Sequence, residues 1–166
     1  MRGSGYYFFR IAMLFLSVIL LSCHSQAPKQ QQQEVSGKYW HLRVPSAWKV
    51  AKAQNGYQLS NDNLPGVIQI SSYKFNNQRT LRYFINNLPE IFIAKQNISV
   101  IADRKYTNGK YSGIRFEYLD DQKLSNIAWA MMHNNTIIFV SYLSATVIPE
   151  KDKEKVEKLI REIDGC

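Results

Sequence analysis

The chain predicts an α+β fold, an antiparallel sheet with helices on both faces. Three observations carry the prediction. Eight short segments read as strands, with apolar and polar residues alternating most clearly in 39–44 and 111–119, two others repeat apolar residues at helical spacing, and Gly, Pro and Asn turn signals separate them.

Residues 39–44 open the domain, with Trp40, Leu42 and Val44 on one face and Tyr39, His41 and Arg43 on the other, the pattern of a half-buried strand. Pro45-Ser46 turns the chain. Segments 48–52 and 57–60 are short strands around Gln54-Asn55-Gly56, where glycine permits positive φ, and after the 61–66 loop residues 67–75 form a longer strand. Thr80 is placed as the N-cap of a helix whose apolar positions are Leu81, Phe84, Ile85, Leu88 and Phe92. Pro89 removes a backbone donor and clashes with the preceding turn, so this helix must kink or restart near Asn87. A hairpin follows, 98–106 and 111–119 across Thr107-Asn108-Gly109-Lys110, with Asn108-Gly109 the strongest turn signal in the chain. A second pairs 125–132 with 136–145 across His133-Asn134-Asn135. In the last helix Pro149 suits the first turn, Glu150 and Asp152 lie at the positive end of the dipole, and Val156, Leu159, Ile160 and Ile163 form one apolar stripe. Its Lys- and Glu-rich outer face reads as solvated. Two amphipathic helices need two apolar surfaces, which a sheet buried on both sides supplies: a helix–sheet–helix sandwich.

Ahead of this domain the chain has a different character. Arg2 and Arg10 precede an apolar run, 11–21, which ends in small Ser22 before Cys23, the anatomy of a secretory signal. Eleven helical residues span only about 16 Å of a hydrocarbon core of about 30 Å, and lengthening the run toward Tyr6 buries Arg10 at a cost of roughly 2.5–3.5 kcal/mol. Leu20-Leu21-Ser22-Cys23 resembles the lipobox of bacterial lipoproteins. The resemblance implies cleavage before Cys23, a diacylglycerol on its sulfur and a fatty acid such as palmitate on its new amino group. At about 0.8 kcal/mol per buried CH₂, two or three chains anchor by tens of kcal/mol. His24-Ser25, with no Asp, resembles lipoproteins sent to the outer membrane and facing the periplasm. The competing reading is a signal cut elsewhere, with Cys23 free or disulfide-bonded.

Residues 1–22 are thus expected as signal peptide, 23–38 as lipidated cysteine and flexible Gln-rich tether, and 39–166 as a single domain. After cleavage 19 Lys and Arg face 13 Asp and Glu, a formal +6 without a dense basic run. Export and the lack of any basic recognition motif argue against nucleic acid as a partner. With the Cys23 sulfur consumed by lipidation, Cys166 is left as the only thiol of this sequence, either free or paired to another chain.

The opening Tyr39-Trp40-His41-Leu42-Arg43-Val44-Pro45-Ser46-Ala47-Trp48 resembles the aromatic, aliphatic, Pro, Trp start of PsbP-like and DcrB-like domains. The hairpin around Gly109 and Gly113, the strand over 137–142 and the terminal amphipathic helix are similar in order. The resemblance covers residues 39–163 and implies a binding or accessory role. It transfers no catalytic residue, and a fold alone does not fix function.

The residues themselves give no catalytic site, no metal site and no cofactor fingerprint. His24, His41 and His133 lack a local nucleophile or ligand partner. Asp120-Asp121 reads as a turn, with a weak cation site as its alternative. Aromatics are numerous and favoured both in strands and at contact surfaces. Tyr39, Tyr57, Tyr106 and Tyr111, near turns, are the candidate binding surface. Three functions remain open: a membrane-anchored accessory module contacting another envelope protein, a periplasmic hydrolase built from distant polar residues, and a small-ligand or glycan carrier with an aromatic cleft.

Overall fold

The computed structural model describes residues 32–96 and 98–165. The segment expected as signal peptide, Cys23 and Cys166 lie outside the described residues. Among the described residues ten strands and three helices follow in the order β1 (Gln33–Ser36), β2 (Trp40–Val44), β3 (Lys49–Ala53), β4 (Gly56–Ser60), β5 (Gly66–Lys74), α1 (Gln78–Asn86), α2 (Leu88–Gln96), β6 (Ser99–Asn108), β7 (Tyr111–Leu119), β8 (Ser125–His133), β9 (Thr136–Ser144), α3 (Glu150–Arg161) and β10 (Asp164–Gly165).

Strands β3 to β9 build one seven-stranded sheet in the order β3-β4-β5-β9-β8-β7-β6, antiparallel at every step. On one face Leu81, Ile85 and Leu88 from α1 and α2 pack against Phe116, Tyr118, Ala128, Ala130 and Ile137. On the other, Val156, Leu159 and Ile160 of α3 and Trp40, Leu42 and Val44 of β2 share a core with Ile68, Ile70, Trp129, Met131, Val140 and Tyr142. Helices therefore cover both faces, and the fold is the expected α+β sandwich. A small second sheet, β1-β2-β10, shares the α3 face.

Two expectations are corrected. Residues 33–36, read as tether, form β1, which pairs with β2 from Gln33↔Val44 to Ser36↔His41. The exposed β2 edge offers a hydrogen-bond ladder, and Val35, the one apolar residue of the strand, is buried in the core. The N-cap of α1 is Asn77, not Thr80: the Asn77 Oδ1 accepts from the Thr80 backbone N–H at 2.8 Å and from the Thr80 hydroxyl at 2.9 Å. The break at Pro89 stands. Helix α1 stops at Asn86, and Pro89 sits in the first turn of α2, where no backbone donor is required.

The connections sort to opposite ends of the large sheet. Loops 45–48, 61–65, 120–124 and 145–149 lie at one end, and turns 54–55, 109–110 and 134–135 at the other. Gln33 pairs with Val44, whose strand is joined to β3 by a tight turn closed by the Trp48 N–H to the Pro45 carbonyl at 3.0 Å. The chain therefore enters the domain at the first end.

Candidate functional site

Two nine-residue helices cannot cover a seven-stranded sheet. Six inter-strand steps of about 4.8 Å make it roughly 29 Å wide, against about 10 Å for each helix. Helix α1 lies over β7 and β9, and among the described residues the β5 side of this face stays open, with Tyr73 half exposed. Strand register then decides what shows there. Gln69, Ser71 and Tyr73 of β5 stand opposite Ser141, Phe139 and Ile137 of β9, all on the α1 side.

At the edge of α1 these residues make a groove of about 430 Å³ lined by Tyr73, Lys74, Phe75, Phe84, Leu88, Ile137 and Phe139. Phe75 and Phe84 stack obliquely, with ring centroids 5.5 Å apart. The Asn135 side-chain amide donates to the Phe75 carbonyl at 2.9 Å and fixes the backbone that leaves β5. Tyr73 is 49 % exposed, and Tyr83, on the outer flank of α1 one residue before Phe84, is 70 % exposed. Through Tyr73 and Phe139 the groove continues into a second hollow of about 330 Å³, whose lining includes Gln58, Gln69, Ser71 and Ser141. The result is a trough with an aromatic end and an uncharged polar end. It can hold an apolar side chain and satisfy neighbouring polar groups, the usual composition of a recognition site.

The largest charged constellation among the described residues lies on the opposite face. Arg115, 6 % exposed at its side chain, meets Glu117 at 2.8 Å and Glu157 at 2.6 Å, Lys153 reaches Glu117 at 2.8 Å, and Arg104 pairs with Glu157. The Arg115 guanidinium also lies 5.7 Å from the Trp129 ring. Burial pushes the Glu117 carboxyl up, but hydrogen bonds and charge from Lys153 and Arg115 outweigh it and hold the group below its ordinary value. Glu117 is therefore ionised at neutral pH, and the network pins α3 to β6 and β7.

The four tyrosines proposed from sequence fare differently. Tyr106 and Tyr111 are 5 % and 3 % exposed and belong to the core, which removes them from any contact surface. Chain from far away covers them: the Asn108 amide donates to the Ile163 carbonyl at 3.0 Å, and the Tyr111 hydroxyl donates to the Tyr39 carbonyl at 3.2 Å. Tyr57 is half-buried, edge-on to Trp40 at 5.8 Å. Tyr39 is half-buried, with the Lys38 ammonium 5.4 Å from its ring. The aromatic groove was missed, although Ser71-Ser72-Tyr73-Lys74-Phe75 and Tyr83-Phe84 hold more aromatic surface than a nine-residue helix can bury.

Asp120 organises its loop. One carboxylate oxygen accepts from the Gln122 and Leu124 backbone N–H groups, each at 2.9 Å, and the other from the Asn126 amide at 3.1 Å. His41 lies 4.0 Å from Asp164, and His133 Nδ1 lies 3.1 Å from the Lys110 carbonyl, two separate places. Among the described residues no three His, Cys, Asp or Glu side chains gather as metal ligands, and no helix is long and apolar enough to cross a membrane.

Comparison with known proteins bears on the fold. No family model matches the chain, and no curated protein matches it. Among solved structures, the cyanobacterial PsbP (CyanoP) of Synechocystis superposes with a TM-score of 0.51 at 10 % identity, over 85 % of this chain and 96 % of that one. A crystal structure from Bacteroides thetaiotaomicron gives 0.54 at 14 % identity over 83 % of this chain, which spans about half (49 %) of that protein. The fold is PsbP-like.

Proposed function

We propose that this chain is a lipid-anchored protein of the bacterial cell envelope, held through Cys23 in the outer membrane facing the periplasm, whose domain is a non-catalytic binding module for another envelope component. The groove between α1, β5 and β9 carries this reading. It is open, aromatic and free of carboxylates and histidines, which suits recognition by burial of apolar surface. The charged cluster elsewhere pairs its carboxylates with cations and so serves α3 packing. The Leu20-Leu21-Ser22-Cys23 motif supports the anchor. The groove's aromatic lining gives the carrier of a small apolar ligand a place as second reading.

Cells producing the full chain with a photo-crosslinking residue at Tyr83 or Tyr73 test both parts. Expected are a discrete protein adduct from these positions, none from a label at the 109–110 turn, and fatty-acid labelling lost in Cys23→Ala. An unacylated cysteine with the leader still attached removes the anchor. Absence of any protein adduct removes the binding module, and co-purification of a small apolar ligand moves the assignment to the carrier.

A further inference from the structure

Charge is divided unevenly along the chain. Residues 32–97, which contain β1 to β5, α1 and α2, hold eight Lys and Arg against three Asp and Glu, whereas residues 98–165 hold ten of each. The net positive charge thus resides in the half of the chain that contributes Tyr73, Lys74, Phe75, Phe84 and Leu88 to the groove. Of its three acids, Asp62 is neutralised by Lys49 at 2.7 Å, at the sheet end away from the groove. Lys74 is the one charged lining residue, and Arg79 stands exposed in the first turn of α1. By contrast Arg104, Arg115 and Lys153, on the far face, are matched by Glu117 and Glu157.

Shape narrows the occupant further. The aromatic hollow opens into the strip of Gln58, Gln69, Ser71 and Ser141, which offers hydrogen-bonding groups without charge. An acyl chain entering the hollow would continue over that polar strip at a desolvation cost, whereas a peptide can bury one side chain and lay its amides along it. With the anchor at Cys23 proposed above, position disfavours a membrane surface. The chain enters the domain beside Val44, and the groove lies about 20 Å away along the strands, six residues at about 3.3 Å each from the Val67/Leu143 row to the Tyr73/Ile137 row.

We propose that this trough binds an acidic segment of a partner protein, with one bulky apolar side chain seated among Phe75, Phe84, Leu88, Ile137 and Phe139 and carboxylates facing Lys74 and Arg79. The inference rests on the binding-module reading above and adds the chemistry of the partner.

The full chain in detergent micelles is panned against a displayed library of short random peptides. Peptides rich in Asp and Glu around a Trp, Phe or Leu are expected to be enriched. Their affinity should fall about tenfold in Tyr73→Ser and in Phe84→Ser, and severalfold in a Lys74→Glu, Arg79→Glu double variant, the second loss disappearing at high salt. Tyr73, Lys74 and Arg79 are exposed, so their variants keep the fold, whereas half-buried Phe84 also packs on the core, and a thermal unfolding midpoint checks each variant. A neutral or basic pool, no enrichment, displacement by palmitate, or self-association of the chain through the groove overturns the proposal. If groove-directed crosslinking in cells captures a protein through a segment that is not acidic, the binding module stands and this inference falls. If crosslinking captures no protein at all, both fall.

Discussion

Tyrosine hydroxyls in this protein have two fates that a single oxygen distinguishes. The Tyr111 hydroxyl donates to the Tyr39 carbonyl, tying the start of β7 to the residue ahead of β2. The Tyr142 hydroxyl is buried and has no hydrogen-bond partner among the described residues, and burial pushes its pKa up. A net hydrogen bond is worth about 1 kcal/mol, and an unsatisfied buried polar group costs about 1–3 kcal/mol. Tyr142→Phe is therefore expected to leave stability unchanged or raise it by about 1 kcal/mol, and Tyr111→Phe to lower it by about the same amount, both read from urea unfolding midpoints. A large loss in Tyr142→Phe would show that its hydroxyl does have a partner. At this scale the sequence was partly legible. Alternation placed Trp40, Leu42 and Val44 in the core correctly. Proximity to a turn made Tyr106 and Tyr111 look accessible, because nothing local announces that Tyr39 and Ile163, distant in sequence, close over the hairpin end.

Elements are held by their ends and by what crosses between them. Asn77 caps α1 through two hydrogen bonds to Thr80, so Asn77→Ala should cost about 1 kcal/mol and speed amide exchange in residues 78–81, while Asn77→Asp should retain most of the stability. Sequence placed the cap at Thr80 because both residue types cap helices, and only the backbone, extended at Asn77 (φ −149°, ψ 158°), separates them. Helix α3 depends on Glu117. The folded carboxyl titrates below its ordinary value of 4.5. Its contribution is therefore present in full above the unfolded pKa and is lost as pH falls from about 4.5 through the folded one. Measured as unfolding free energy against pH, Glu117→Gln should lose on the order of 2 kcal/mol at neutral pH, since it leaves buried Arg115 with Glu157 alone and Lys153 with only the longer pair to Glu150, and should show a shallower decline below pH 4.5 than the parent. Parallel acid limbs in the two proteins would deny Glu117 this role. Strand β1 escaped sequence reading for a related reason: Gln33-Glu34-Val35-Ser36 has one apolar residue, too few to show a period, and becomes a strand because β2 presents an edge.

At the scale of the whole molecule β1 shortens the stretch that would tether the domain to an acylated Cys23. With pairing beginning at Gln33, nine residues (24–32) separate it from Cys23, in place of the 14 (24–37) counted when the strand is read as tether. Nine residues reach at most about 30 Å extended and about 16 Å as a coil. An acylated Cys23 would therefore keep the entry end of the sheet, with loops 45–48, 61–65, 120–124 and 145–149, close to the headgroups and turn the groove's end outward. Val147, 77 % exposed in the last of those loops, is the natural reporter, and Gly109 in the hairpin turn at the opposite end is its counterpart. Gly109 has positive φ (+52°), so the distal label is better carried by exposed Asn134, which already adopts φ 54° as a non-glycine residue. Spin labels at Val147→Cys and Asn134→Cys, each with Cys166→Ser, in native lipidated protein on vesicles should differ: relaxation by a lipid-soluble paramagnet should be strong at residue 147 and weak at residue 134. Inserting a long Gly-Ser stretch after Gln32 should erase the difference, because a domain on a slack tether tumbles freely. Equal relaxation at the two sites with the natural tether would mean that the chain's entry point does not orient the domain, and the groove would then meet the membrane as readily as it meets a partner protein.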